Sequence, residues 1–159
     1  MGDANNIIVG AAAVSIGGTD VGFTKGGVQV RYEPEFFEVI ADQAVGVVRK
    51  ARSLERMFVA TTLLEVTLAQ IRLAFMQPAT NLVGSTLTLG YNDPCYVDEV
   101  AIILTGKGPS CGTRTYTFPK CITFGNREIN QTREEEQAFE VEFEILKQAD
   151  GTFGTIVDS

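Results

Sequence analysis

The sequence predicts a mainly β protein: a two-sheet, sandwich-like or barrel-like domain flanked by one α-helix, with a projecting loop or hairpin arm. Three observations lead there. Short runs rich in Val, Ile, Thr and Phe are divided by turn residues, with 16 glycines in 159 residues. A single stretch, about residues 64–76, carries helical spacing. No histidine or tryptophan is present, so the chain lacks the commonest general base. A chain of this length makes one domain, residues 1–159, and buries a core without metal or disulfide staples.

Taken in order, Ile7 to Ile16 reads as an apolar strand closed by Gly17-Gly18. Val21 to Thr24 is a short strand, and Lys25-Gly26-Gly27 has the composition of a hairpin turn. Val28, Val30 and Tyr32 then alternate with Gln29, Arg31 and Glu33, the pattern of a half-buried strand. Pro34 marks an edge or a bend, because its nitrogen cannot donate to a ladder. Extended pattern resumes over Glu35 to Ala41.

Residues 43–56 have no clear period and contain the basic cluster Arg49, Lys50 and Arg52. They read as an arm, against a short helix over Val47 to Arg56. Met57 to Leu63 is a strand. Thr67 followed by Gln70 fits a capping box, and Leu64, Leu68, Ile71 and Phe75 form one apolar helical stripe ended by Pro78. Glu65 and Arg72 suit the two ends of the helix dipole. Strands follow at Ser85 to Leu89, Val97 to Thr105, Thr113 to Phe124, Phe139 to Lys147 and Phe153 to Val157. Tyr91 to Pro94 is a turn, and Asn126 to Glu136 is a polar loop.

Chemistry-bearing motifs are scarce. Cys95, Cys111 and Cys121 show no CxxC spacing and read as buried or half-buried thiols of a reducing cytosol. Phosphate-binding loops and an Asp-rich calcium loop are missing from the sequence. Asp93, Asp98 and Glu99 cluster near Cys95, but no spacing fixes them as a catalytic pair. The expectation is a protein without enzymatic activity, metal or cofactor. The charge of −7 argues against a surface built to grip nucleic acid, which needs Lys and Arg on phosphates. No targeting or membrane segment is visible.

One charge pattern stands out. Glu134 to Glu136 form a run, and Glu140, Glu142 and Glu144 then alternate with Phe139, Val141, Phe143 and Ile145. A strand puts the three glutamates on one face, about 6.5–7 Å apart, within a Debye length of about 8 Å. That face is solvated or paired with cations.

The phrase TTLLEVTLAQIRLAF and the ending AFEVEFEILKQADGTFGTIVD resemble segments of the major tail tube proteins of tailed bacteriophages. The order of parts is also similar: an N-terminal sheet, an arm, one helix, then a run of strands. The resemblance implies a structural virion protein whose subunits close into six-fold rings, stacked as a tube around a tape-measure protein. Tail-tip and terminator proteins are then partners, and genome DNA passes through without specific binding. Assembly in the host cytoplasm and residence in the virion tail follow from the same resemblance. It makes Glu140, Glu142 and Glu144 candidates for the lumen wall, and Arg49, Lys50 and Arg52 candidates for contacts between subunits or rings. The alternatives are a tube-forming subunit of a related injection or secretion machine, and a β-sandwich binding module.

Overall fold

A computed structural model describes residues 3–8, 10–90, 93–129, 133 and 135–159. Val9, Tyr91, Asn92 and Glu134, which belong to the predicted first strand, a turn and the acidic run, lie outside them. The protein is mainly β; the described residues form one large antiparallel sheet, a small second sheet and a single α-helix. The strands are β1 (Ala13–Ile16), β2 (Thr19–Asp20), β3 (Thr24–Ile40) and β4 (Val47–Leu63). Helix α1 (Leu68–Ala74) follows, then β5 (Leu82–Val83), β6 (Thr86–Leu87), β7 (Val100–Lys107), β8 (Thr113–Thr123), β9 (Phe139–Ile145) and β10 (Thr155–Asp158).

The large sheet runs β2-β1-β7-β8-β9-β4-β3, while β5 and β6 form the small one. At β8 the sheet forks. Its N-terminal half pairs with β10, through Arg114 to Thr117, and its C-terminal end pairs with β9, through Cys121 to Thr123. One face of the large sheet is the core. Val14 and Ile16, Val59 and Leu63, Ile102 and Leu104, Phe118, and all four inward residues of β9 meet there. Each such side chain taken from water contributes on the order of 1.5–3 kcal/mol. The alternation predicted for β9 is what the strand shows: Phe139, Val141, Phe143 and Ile145 are buried.

Helix α1 closes the open side of this core. Its capping box is formed as predicted: Thr67 Oγ1 accepts from the Gln70 amide at 3.3 Å, and Gln70 Oε1 accepts from the Thr67 amide at 3.0 Å. The inward face differs from the predicted stripe. Gln70, Leu73 and Ala74 are buried, whereas Leu68 is exposed and Ile71 and Phe75 are half-buried. The helix is also shorter than 64–76. Leu64 donates its amide to Phe23 O, which holds the chain extended until Thr67. Met76, at φ 52°, ends the helical path before Pro78.

Three further expectations are corrected. Lys25-Gly26-Gly27 does not reverse the chain. Both glycines take positive φ (75° and 81°) as a bulge inside β3, between the pairs Lys25–Thr62 and Val28–Thr61. Val30 and Tyr32 are exposed instead of half-buried, because β3 is an edge strand beyond the core. Cys95 and Cys111 are exposed, and only Cys121 is buried.

Residues 43–56 are neither a loop nor a helix. They form the turn and the outgoing strand of a hairpin, with β3 and β4 each 17 residues long. Beyond the pair Met57–Ile145, β4 has no β9 partner. From there the two strands project together, paired only with each other. Pro34 sits on this edge strand, the place in a sheet where a residue without a backbone donor is tolerated.

Candidate functional site

Two surfaces hold the sequence-predicted residues: the projecting hairpin and the outer face of β9. Both faces of the hairpin meet solvent, and each carries large apolar side chains among its charges. Cross-strand pairs are Phe36–Arg52, Phe37–Ala51, Glu38–Lys50 and Val39–Arg49. Phe36 is 53% exposed, Phe37 64% and Ile40 70%. The alternation of a strand places Phe37, Val39, Ala51 and Arg49 on one side and Phe36, Glu38, Lys50 and Arg52 on the other.

The three basic residues differ in their engagement. Lys50 pairs with Glu38 across the hairpin at 2.6 Å, and Arg52 pairs with Glu55. Among the described residues, Arg49 has no ion pair or hydrogen-bond partner for its side chain. Of these three it is therefore the cation left open.

At the base of the hairpin, sequence reasoning missed a cluster centred on Glu55. Its carboxylate, 13% exposed, accepts from Tyr32 Oη at 2.7 Å and Lys147 Nζ at 2.5 Å, and also meets Arg52. Lys147, followed by Tyr32, holds the Glu55 carboxyl down at about 2. Lys147 itself lies 5.3 Å from the centre of the Phe153 ring. The cluster joins residues 23 and 92 positions apart, a separation that leaves no local signal in the sequence.

On the outer face of β9, Glu140, Glu142 and Glu144 stand opposite Thr62, Ala60 and Phe58 of β4. Glu140 is exposed; the other two are half-buried. Glu142 is paired: Arg31 donates to it at 2.7 Å and to Glu33 at 2.6 Å. Lys25 pairs with Glu136, whose hydrogen bond raises the lysine pKa. This face therefore mixes carboxylates that have no ion pair among the described residues with internal ion pairs.

Phe58 is buried on this outer side, not in the core, and is only 2% exposed. The Arg31 guanidinium lies 4.6 Å from its ring centre and the Phe124 ring 5.0 Å away. A period-two reading of Met57 to Leu63 predicts that side, since Met57, Val59 and Leu63 point the other way. An open groove of about 640 Å³ runs beside the glutamates, bordered by the glycine bulge of β3 and by Arg127. Arg127 donates to Asn126 O at 3.0 Å and to Glu142 O, and burial lowers its pKa.

The carboxylates near Cys95 do not converge. Asp93 accepts from the Cys95 amide at 3.0 Å, Asp98 lies 3.6 Å from Arg72, and Glu99 lies 3.2 Å from Lys120. Among the described residues no group of three or more Cys, Asp or Glu could hold a metal ion. No protein-family model matches the chain, and no curated protein matches it in sequence.

Proposed function

We propose that this chain is a structural virion subunit that self-assembles into stacked six-fold rings, forming the tail tube through which a phage genome passes. The carrying observation is the hairpin: both its faces are solvated, yet Phe36, Phe37 and Ile40 are more than half exposed. A lone two-stranded hairpin is marginally stable in water, and large apolar side chains left exposed on both of its faces suit a contact site. A second copy of the chain is the partner this reading assigns. The long outer edge of β3, with unpaired backbone groups, invites the same kind of contact. Head-to-tail contacts that close by rotation give rings, and rings that repeat by translation give a tube.

The outer face of β9 suits a lumen wall because free carboxylates repel phosphates, and the pairing of Arg31 with Glu33 and Glu142 withholds its charge from them. In this reading a tape-measure protein fills the tube during assembly in the host cytoplasm, and tip and terminator proteins bound its ends. Sedimentation velocity of the purified chain with negative-stain imaging tests the proposal. Rings or tubes are expected as concentration rises. A chain that stays monomeric at high concentration, with and without its virion partners, overturns it.

A further inference from the structure

We infer that Glu55 is the clamp that fixes the direction of the hairpin relative to the body of the protein. The hairpin leaves the sheet after Met57, the last residue of β4 that faces β9. Glu55 is two residues further out, at the point where a rigid body becomes an unsupported pair of strands. The ladder is irregular here as well: its register shifts between Glu35 and Phe36, where Leu54 and Arg52 are the partners. Bulges bend and twist a strand pair, so this junction is where the hairpin can pivot.

Three side chains from separate pieces of chain hold it. Tyr32 comes from β3, Arg52 from the hairpin itself, and Lys147 from the segment after β9. Tyr32, opposite Met57, and Lys147 both belong to the body, and Lys147 lies against Phe153, which packs on the core. Removing the carboxylate charge releases the body-side and arm-side cations together. The strand pairing inside the hairpin does not depend on it. The result is a hairpin that stays formed but swings. A ring built on hairpin contacts needs that direction fixed in advance, since ordering it on association costs affinity. This consequence rests on the proposed assembly; the clamp does not.

The test is a distance measurement in dilute, monomeric protein. Spin labels at Ala44→Cys in the hairpin turn and Thr105→Cys on β7, in a Cys95→Ser/Cys111→Ser background, report the angle. A single narrow distance distribution is expected. Glu55→Gln, nearly the same size, is expected to broaden it at least twofold, and Lys147→Met to do likewise. Glu38→Gln, which breaks the ion pair further along the hairpin, is expected to leave the width unchanged. A narrow distribution in both Glu55→Gln and Lys147→Met, or equal broadening by Glu38→Gln, overturns the clamp. Broadening with undiminished tube formation upholds the clamp and removes the hairpin from the assembly reading.

Discussion

Arg31 lies over the ring of Phe58, its guanidinium carbon 4.6 Å from the ring centre, on the side of the sheet away from the core. The same arginine donates to Glu142 and Glu33. One cation thus covers an aromatic ring and ties the edge strand β3 to β9 across β4. The outer face is in consequence a second, smaller packed layer. Phe58→Ala is expected to destabilise the fold by about 3–5 kcal/mol, and Phe124→Ala, at a 37% exposed ring, by less than half as much. Urea unfolding of the two variants decides it; equal losses would mean that Phe58 is no better packed than its neighbour.

Gln70 joins the helix cap to the sheet. Its Nε2 donates to Val21 O at 2.8 Å while its Oε1 receives the Thr67 amide. Gln70→Ala leaves a buried carbonyl and a cap donor unpaired, so a loss of about 2–3 kcal/mol is expected. Thr67→Ala removes only one half of the box and should cost about 1 kcal/mol. The order of the two urea midpoints checks the assignment.

Acid sensitivity follows from Glu55. Its folded pKa, about 2, lies below its ordinary value of 4.5, so the folded state binds protons less readily than the unfolded chain. The stabilisation is complete above about pH 4.5 and declines as pH falls from there towards about 2. Asp158, lowered by Arg114, acts in the same sense. Carboxyl carbon shifts followed by NMR should place the Glu55 titration well below that of an exposed glutamate. Wild-type stability should fall more steeply across this window than that of Glu55→Gln.

The three thiols are expected to separate by burial. Burial pushes Cys121 up to about 12, and its Sγ donates to Phe118 O. Cys95 and Cys111 are exposed. A thiol reagent at neutral pH should therefore modify two cysteines in the folded protein and three in urea. Rapid labelling of Cys121 in the native state would contradict the core described around it.

Arg49→Glu tests the assembly reading with least collateral damage, because Lys50 and Arg52 already serve Glu38 and Glu55. The expected outcome is a monomer with unchanged circular dichroism that no longer forms rings or tubes by electron microscopy. Normal polymerisation of this variant would remove Arg49 from the contact.

The sequence by itself determined the β class, the position of the one helix, its capping box and the two-faced character of β9. Each of these is written in spacing over a few neighbouring residues, where strand or helix geometry converts order into direction. It also placed the projecting arm, because residues 43–56 lack the periodicity of a segment packed on a core. Tertiary structure alone decided the rest. The buried side of α1 turned to Gln70, Leu73 and Ala74 because the sheet beneath it, and not the count of apolar residues, selected which face docks. Gly26 and Gly27 became a bulge because β4 continued to pair on both sides of them. Glu55 gained its role only when folding brought Lys147 to it across 92 positions, a meeting that no local pattern encodes.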